Sequence, residues 1–462
     1  MCCMICLFIF VILLLLYILT SLFLPPLLCK QYIVEDAANM ERPKTKGERV
    51  RLIDDNEEAL FWRIALISNA QKKVILTTFE LRDDAAGQDI MSALLAAAER
   101  GVQIKVLIDG VDAEIVLRGS VNFKSFLCHK NIEVKYYNPF LFSALWKINY
   151  RLHEKYLIVD DTVFILGGRN THNVYLGKET EKSQSDRDIL IYITNKNHES
   201  SLNKLKVHFE TLWGMDECLL LSRNMDSRKY KGIQEELLAN WQKVQTRYGN
   251  GSLNPDLYAM TMEVNGIWLL TGNSGVGNKK PIIWKQLCGL MKSGKREVLI
   301  QTPFVMCDTW MYSELAEVCR RVDSVGLITN SYENIVNPLG SDYPNQRRKL
   351  EQIKATVYEY SGSVPMHTKT VLIDDNLSII GSFNMDNRST YIDTEIMLVI
   401  DCRELNAGLR QQIINLQEQS VWIAPDGKVT YGTAYREKRI PVEKRFLYGI
   451  LRVLLYPFEY LL

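Results

Sequence analysis

Two histidines in this chain occur with the same spacing to a lysine and an aspartate. The pattern H-x-K-x-x-x-x-D is present twice, as His153, Lys155 and Asp160 and as His367, Lys369 and Asp374. In a strand, residues i and i+2 point to the same face, so each histidine has an ammonium group beside it. An imidazole can attack phosphorus or move a proton, and an ammonium stabilises the charge that builds on phosphate oxygens. The two patterns therefore indicate phosphodiester chemistry.

Chance does not explain the repetition of this pattern. For a chain of this composition the expected number of random matches is on the order of 0.02, whereas the sequence has two. The halves stay aligned beyond the pattern, since Gly167-Gly-Arg-Asn170 and Gly381-Ser-Phe-Asn384 follow their histidines at the same distance. A single strand histidine is more often a core residue, but that interpretation does not account for the shared register. We therefore predict a catalytic role for His153, Lys155, His367 and Lys369.

Three residues after the pattern extend the predicted site toward the phosphate: Asn170, Ser382 and Asn384. Side-chain amides and hydroxyls donate hydrogen bonds, which phosphate oxygens accept. Ser382 has no equivalent in the first half, where Gly168 occupies its position. The two halves are therefore not chemically identical.

The motif aspartates, Asp160 and Asp374, allow two interpretations. They complete the repeated pattern and are counted with the catalytic residues for that reason. Both also end an apolar strand before a predicted hairpin turn, where a carboxylate commonly stabilises the turn. We favour the structural role.

The elements around the two motifs follow a repeated order. In the first half a strand, an amphipathic helix and a second strand are predicted at residues 73–80, 88–100 and 102–109. In the second half the same elements are predicted at residues 297–303, 309–321 and 324–329. The alternation is typical of an α/β sheet, and its repetition indicates two related domains.

At these residues the chain resembles the phospholipase D superfamily, over roughly residues 60–422. Segments 167–170, 327–331, 381–389 and 393–395 are most similar to bacterial cardiolipin synthases of the C type. The resemblance implies an α/β fold in which two phospholipase D-like repeats form a pseudo-twofold sandwich with one shared active site. It also implies a covalent phosphohistidine intermediate, with neither a metal nor another cofactor.

The resemblance assigns roles within the site. It implies that His153 attacks phosphorus while His367 protonates the departing alcohol. It further implies that Glu395 orients His367 and that Asp188 does the same for His153. Asp186 competes with Asp188, because the stretch that precedes them is longer than its counterpart in the second half.

The N-terminus predicts a single membrane anchor. Residues 5–28 contain no Asp, Glu, Lys, Arg or His, and a helix of that length crosses a hydrocarbon core of about 30 Å. Basic residues follow at Lys30, Arg42, Lys44, Lys46, Arg49 and Arg51. By the positive-inside tendency, the catalytic part is expected on the cytoplasmic side of a bacterial inner membrane, with a host membrane as the alternative.

Two other apolar segments have both a membrane and a core interpretation. Aromatic residues lead into the first motif, at Tyr136, Tyr137, Phe140, Phe142 and Trp146. They form either a lipid-facing lip or part of the core, and we favour the core. Near the C-terminus, basic residues precede the apolar segment 446–456. An interfacial helix and a helix packed on the core are equally favoured there.

The predicted organisation divides the chain into six parts. They are an anchor (1–29), a linker (30–52), a first phospholipase D-like domain (53–240), a linker (241–256), a second such domain (257–430) and a membrane-associated C-terminal segment (431–462). The second linker is placed at a run rich in glycine and asparagine, which favours turns.

Composition argues against several classes of protein. The net charge of +1 provides no general field for nucleic acid, so no nucleic-acid partner is expected. Of the ten cysteines only Cys3 and Cys6 have C-x-x-C spacing, and they lie beside the apolar N-terminal run, so neither a zinc site nor a disulfide framework is supported.

The favoured hypothesis is a membrane-anchored phosphatidyltransferase. It would form cardiolipin from phosphatidylglycerol and a second phospholipid, with phosphatidylethanolamine as one candidate. The alternative is a phospholipase D that passes the same intermediate to water and releases phosphatidic acid. A nuclease is less favoured because there is no long basic run, and a non-enzymatic scaffold is less favoured because both motifs are intact.

Overall fold

The computed structural model describes residues 2–27, 47–195, 199–221, 227–249 and 251–461. The helices are α1 (Cys2–Leu27), α2 (Asn56–Asn69), α3 (Ala85–Glu99), α4 (Gly110–Val116), α5 (Val121–Leu127), α6 (Ser201–Trp213), α7 (Ser227–Tyr248), α8 (Ile282–Lys292), α9 (Thr309–Arg321), α10 (Tyr343–Gln352), α11 (Asn387–Tyr391), α12 (Arg403–Gln417) and α13 (Val442–Leu455). Short 3-10 helices lie at Phe142–Lys147, Pro338–Asp342 and Tyr456–Leu461.

The strands of the first half are β1 (Glu48–Ile53), β2 (Lys73–Thr78), β3 (Gln103–Asp109), β4 (Ile132–Tyr137), β5 (Tyr156–Val159), β6 (Val163–Gly167), β7 (Asp188–Ile193) and β8 (Cys218–Leu220). Those of the second half are β9 (Met262–Glu263), β10 (Gly266–Thr271), β11 (Glu297–Gln301), β12 (Val305–Met306), β13 (Ser324–Asn330), β14 (Thr356–Tyr360), β15 (Thr370–Ile373), β16 (Leu377–Gly381), β17 (Met385–Asp386), β18 (Ile396–Asp401), β19 (Ser420–Ile423) and β20 (Val429–Tyr431).

The first half forms a mixed sheet in the order β8-β4-β3-β2-β5-β6-β7-β1-β9. Strands β2, β3 and β4 pair in parallel, and helices connect them. The hairpin of β5 and β6 lies antiparallel beside β2. All four side chains of β5 are buried, as expected of a strand covered on both faces of its sheet. This strand directly follows the first motif lysine.

The second half repeats this arrangement in the order β10-β18-β16-β15-β11-β13-β14-β19-β20. Strands β11, β13 and β14 are parallel, and the hairpin of β15 and β16 lies antiparallel beside β11. Thus β15 stands where β5 stands in the first half, and β18 stands where β7 does. The prediction of two related α/β repeats is confirmed.

One hydrophobic core joins the two sheets. It contains buried side chains from both, including Leu107, Phe164, Leu372 and Leu398. Two separate cores cover the outer faces, one for each half. Because apolar side chains fill the space between the sheets, the halves form the predicted sandwich.

The predicted divisions of the chain fall on these elements as follows. The predicted anchor coincides with α1, of which Ile5–Pro25 is long and apolar enough to cross a membrane. Most of the first predicted linker, with Lys30, Arg42, Lys44 and Lys46, lies outside the described residues. The second predicted linker starts within α7, where Trp241 and Val244 are buried in the first outer core. The division into six parts stays a prediction.

Candidate active site

Each motif segment pairs with backbone from the opposite half. The N–H of His153 donates to the carbonyl of Thr394 (3.2 Å), and the N–H of His367 donates to the carbonyl of Ser185 (2.7 Å). Leu152 forms an isolated bridge with Thr394 beside the first of these bonds. The motifs therefore meet at the contact between the two sheets.

Each histidine is also held by a carboxylate of the opposite half. The Nδ1 atom of His153 lies 2.8 Å from Oε1 of Glu395, and Nδ1 of His367 lies 2.6 Å from Oδ2 of Asp186. The expectation that Glu395 contacts His367 is wrong, and so is the expectation that Asp188 contacts His153. In both halves the carboxylate directly follows a residue whose backbone pairs with the opposite motif. Glu395 follows Thr394, and Asp186 follows Ser185.

Asp188 has a different environment. It is the first residue of β7, and its buried carboxylate lies 2.9 Å from Arg63 and 3.3 Å from Arg169. The strand register identifies the true equivalents. Gly167 pairs with Asp188, and Gly381 pairs with Met397, so the residue two positions earlier is Asp186 in one half and Glu395 in the other. Alignment of the two strand registers is the signal that would have identified Asp186.

Two serine hydroxyls fix Glu395. Ser382 donates to Oε2 (2.5 Å), and Ser389 donates to Oε1 (2.6 Å). The prediction that Ser382 binds phosphate is wrong, because its side chain is fully buried and directed at this carboxylate. In the first half, a Cβ at Gly168 would lie 2.4 Å from Oδ1 of Asp186. Ser382 thus donates a hydrogen bond to Glu395, whereas the absence of a side chain at Gly168 leaves room for Asp186.

The motif lysines are buried beside the histidines. Nζ of Lys155 donates to the carbonyl oxygen of His153 (2.6 Å), and Nζ of Lys369 lies 3.2 Å from Nε2 of His367. Burial lowers the pKa of Lys155 to about 7 and that of Lys369 to about 8, against the opposing effect of nearby carboxylates. These cations lack full charge compensation, so an anion would be bound favourably between them.

The four groups of the two histidine pairs titrate differently. Burial and Lys155 hold the pKa of His153 well below its usual value, and burial and Lys369 lower the pKa of His367 to about 4. Burial opposes ionisation of Asp186, but Lys369 and His367 outweigh it and lower its pKa to about 2. Burial raises the pKa of Glu395 well above its usual value. Of the two carboxylates, only Asp186 therefore has a pKa below its ordinary value.

Both histidines face one cavity of about 280 Å³. Asn170 and Asn384 also line it, as predicted, and neither Oδ1 atom has a hydrogen-bond partner among the described residues. Aromatic rings flank the imidazoles, with Phe79 centred 5.5 Å from His153 and Tyr175 centred 4.9 Å from His367. The cavity wall thus combines two imidazoles with two side-chain amides, and the motif lysines lie beside the imidazoles.

One charged wall of this cavity was not predicted from the sequence. Glu80 lines the cavity, and its carboxylate lies 2.7 Å from Nε2 of His172. Burial would raise the pKa of Glu80, but His172 outweighs burial and the pKa falls to about 2. The second half has Phe304 at the equivalent position after its strand. The Glu80–His172 pair is therefore not repeated in the second half, and comparison of the two halves could not have predicted it.

The motif aspartates lie away from the cavity, which corrects their inclusion among the catalytic residues. Asp160 accepts hydrogen bonds from the backbone N–H groups of Gln71, Lys72 and Lys73, and Asp374 does so from Lys295, Arg296 and Glu297. Both residues have a left-handed backbone, with φ of 51° and 49°. Each carboxylate therefore connects its hairpin turn to the start of the neighbouring strand, which is the structural role favoured above.

The chain is similar in sequence and in fold to known phospholipid synthases. A family model described as "Cardiolipin synthase, PLD-like domain" matches residues 63–213 and 287–417. Cardiolipin synthase C of Escherichia coli (strain K12) is 24% identical over 447 residues, which cover 85% of this chain and 90% of that protein. Cardiolipin synthase B of Salmonella typhi is 24% identical over 371 residues, 80% of each protein. The crystal structure of phosphatidylserine synthase from Haemophilus influenzae Rd KW20 has the same fold, with a TM-score of 0.63 and 18% identity over 92% of this chain and 98% of that chain.

Proposed function

Because the chain belongs to the cardiolipin synthase family of phospholipase D-like (PLD-like) proteins, we propose that it is a membrane-anchored phosphatidyltransferase. Its product is cardiolipin, formed from phosphatidylglycerol and a second phospholipid, with phosphatidylethanolamine as a candidate. The observation that carries the proposal is the convergence of His153, His367, Asn170 and Asn384 on one cavity.

In the first step, Nε2 of His153 attacks phosphorus and the bond from phosphorus to the head-group oxygen breaks. His367 gives a proton to that oxygen, so the head group leaves as an alcohol. The phosphatidyl group remains on His153. Lys155 and Lys369 stabilise the charge on the non-bridging oxygens, to which Asn170 and Asn384 donate amide hydrogen bonds.

In the second step, a hydroxyl of the acceptor lipid attacks the same phosphorus. His367, now neutral, takes the hydroxyl proton, and the bond between phosphorus and His153 breaks. The product is a lipid in which the acceptor head group joins two phosphodiesters. His153 is neutral again, and His367 carries the proton that the next cycle requires.

The two histidine pairs support this assignment of roles. A nucleophile must be neutral, and burial and Lys155 hold the pKa of His153 well below its usual value, while its Nδ1–H donates to Glu395 and leaves the lone pair of Nε2 free. An acid must carry a proton, and His367 pairs with Asp186, which stays ionised and stabilises an imidazolium. A bound phosphodiester adds negative charge beside His367, and we expect this to raise the pKa from the value of about 4 in the lipid-free site.

Acceptor choice separates transfer from hydrolysis. Phe79, Tyr175 and Phe304 place aromatic rings around the histidines in the cavity, and exclusion of water from the intermediate favours transfer over hydrolysis. This supports a lipid alcohol as the acceptor. We further propose that the catalytic part lies on the cytoplasmic side of the membrane, on the basis of the basic residues after α1.

Product analysis tests the proposal. Purified protein in detergent is incubated with labelled phosphatidylglycerol, with and without phosphatidylethanolamine, and the lipids are resolved by chromatography. We expect labelled cardiolipin, with no product from the His153→Ala variant. Phosphatidic acid as the sole product would show that the enzyme is a hydrolase, and turnover that survives His153→Ala would remove the proposed site.

A further inference from the structure

The apolar helix α1 is attached to the body of the protein near its C-terminal end. Side chains from three separate segments donate hydrogen bonds to its backbone carbonyls: Asn149 to Leu22, Asn278 to Pro25, and Tyr460 to Phe23. The ring of Phe23 also lies 4.6 Å from that of Phe458. Most of the remaining helix is exposed. These contacts fix the place at which the bilayer meets the rest of the chain.

An uncovered apolar surface lies next to this place. Helix α13 leads directly into the C-terminal 3-10 helix that holds α1. Along α13, four apolar side chains follow helical spacing and are exposed: Val442 (79%), Phe446 (72%), Ile450 (42%) and Val453 (73%). Spacings of four, four and three residues place them on one face. Such a stripe on a surface helix needs an apolar partner.

The loop around the 3-10 helix Phe142–Lys147 adds to the same surface. Tyr17 of α1 donates to the carbonyl of Phe142, and their rings lie 5.9 Å apart. Phe140, Phe142 and Trp146 are exposed, whereas Tyr136 and Tyr137 are buried. The preference for core packing therefore holds only for the two tyrosines. The other three aromatic residues stand beside the predicted membrane helix.

The charge of the C-terminal segment suits an anionic surface. Between residues 436 and 452 there are six basic residues and two acidic ones. Arg436, Arg439 and Arg445 are exposed. Amphipathic helices with basic residues beside an apolar face bind at the interface of bilayers that contain anionic lipids.

The opposite face of α13 holds a loop of the catalytic cavity. The hydroxyl of Tyr448 donates to the carbonyl of Ile335 (3.0 Å), and Nζ of Lys444 donates to the same oxygen (2.9 Å). Ile335, Val336 and Asn337 line the cavity that contains the two histidines. The helix that carries the exposed stripe is therefore in contact with the wall of the active site.

We propose that α13 lies in the interface of the same bilayer that α1 crosses, with its exposed stripe among the lipids of an anionic leaflet. The loop at residues 335–337 then holds the catalytic cavity at the bilayer surface, so a phospholipid head group reaches the histidines without leaving the membrane. The location of α13 is independent of the reaction. The lipid route rests on the proposed function.

Photocrosslinking tests the location. The full chain, with p-benzoylphenylalanine in place of Phe446 or Val453, is reconstituted into vesicles of phosphatidylglycerol and phosphatidylcholine and irradiated. The matched control carries the photoreactive residue in place of Val207, which is 70% exposed on α6. Val207 lies far from the motif, because its neighbour Lys206 contacts Asp161, which follows β5 at the end of the strand opposite to His153. We expect lipid adducts by mass spectrometry at 446 and 453, several-fold above those at 207. Adducts no more frequent than at 207 would overturn the proposal.

A substitution pair tests the lipid route. The double variant Phe446→Glu, Val453→Glu should turn over phosphatidylglycerol in vesicles much more slowly than wild type, because charged side chains are disfavoured among lipid tails. Turnover of a monomeric short-chain phosphatidylglycerol should be unchanged, and Val207→Glu should match wild type on both substrates. Unchanged turnover in vesicles, or equal loss on both substrates, would overturn the route. If wild type turns over neither substrate, the proposed function fails while the adduct test still decides the location of α13.

Discussion

Nδ1 of His153 lies 2.8 Å from a carboxylate oxygen of Glu395, a residue 242 positions later in the chain. The reciprocal contact joins His367 to Asp186. Each half therefore supplies the carboxylate that orients the histidine of the other half. Each motif histidine and its carboxylate partner are brought together only when the two sheets pack, so neither half has both members of a pair by itself.

The Asp186 contact predicts a large catalytic effect. Asp186→Asn removes the charge that stabilises a protonated His367, and we expect kcat to fall by about 10³-fold or more, as for buried aspartates behind catalytic histidines elsewhere. The melting temperature should stay close to that of wild type, so that the loss of kcat is not caused by unfolding. The measurement is cardiolipin formation at saturating lipid, together with a melting curve for each variant.

Asp188→Asn is the matched control for that substitution. Asp188 pairs with Arg63 and Arg169 and touches neither histidine, so we expect a lower melting temperature with kcat per folded molecule largely retained. If Asp188→Asn abolished kcat in a folded protein while Asp186→Asn did not, the observed pairing would not be the functional one.

The glycine and serine that support the carboxylates predict unequal effects. A Cβ at position 168 would lie 2.4 Å from Oδ1 of Asp186, so Gly168→Ala should displace that carboxylate and lower kcat by about 100-fold. Ser382→Ala removes one of two hydroxyl bonds to Glu395 and should cost about tenfold. Gly408→Ala is the control, since a Cβ there meets nothing within 4 Å. Equal kcat for Gly168→Ala and Gly408→Ala would contradict this role of Gly168.

Asp374 predicts a change in stability without a change in chemistry. Asn tolerates its left-handed backbone, so Asp374→Asn removes mainly the charge that accepts three backbone N–H bonds. We expect the free energy of unfolding to fall by about 1–2 kcal/mol at neutral pH, with kcat unchanged. The measurements are denaturant unfolding in detergent and lipid turnover. A large loss of kcat at unchanged stability would return Asp374 to the catalytic residues.

The sign of the pH dependence follows from the pKa of Asp374. Burial opposes its ionisation, but the backbone N–H bonds outweigh burial and lower the pKa below the ordinary value. The stabilisation is therefore fully present above the unfolded pKa and is lost as the pH falls through the folded pKa. The difference between wild type and Asp374→Asn should disappear in acid.

His208 predicts a pH dependence of the opposite sign. Its Nε2 atom lies 2.9 Å from both carboxylate oxygens of buried Glu154. Burial lowers the pKa of His208, but Glu154 outweighs burial and raises it. The stabilisation by the charged pair is fully present below the unfolded pKa, about 6.5, and is lost as the pH rises through the higher folded pKa.

His208→Gln should therefore lower the free energy of unfolding by about 2 kcal/mol at pH values below 6.5, and by less in alkali. The measurement is a series of melting curves in detergent, from pH values below 6.5 to alkaline pH. His129→Gln is the control. Burial lowers the pKa of His129, so protonation of His129 in acid is not expected to stabilise the fold. If the loss of unfolding free energy in His208→Gln grew as the pH rose, the charged pair of His208 and Glu154 would not be the source of the stabilisation.

The repeated elements predicted the two sheets, and the repeated motifs predicted the asparagines, because those features depend on local patterns that both halves preserve. The shared site was implied by the family resemblance. The partners of the histidines depend on contacts between halves. Asp186 follows Asn170 by 16 residues, whereas Glu395 follows Asn384 by 11, and this difference hid their equivalence. The orientation of Ser382 was also missed, since its role depends on Glu395 rather than on the phosphate.

In the proposed mechanism, phosphatidyl transfer proceeds through a covalent bond to His153. The direct test mixes the purified protein with phosphatidylglycerol that carries a radiolabelled phosphate, quenches the mixture in alkaline denaturant to preserve phosphohistidine, and maps the labelled peptide. We predict label on the peptide that contains His153 and none in the His153→Ala variant. Label on His367, or turnover without any labelled protein, would contradict this mechanism.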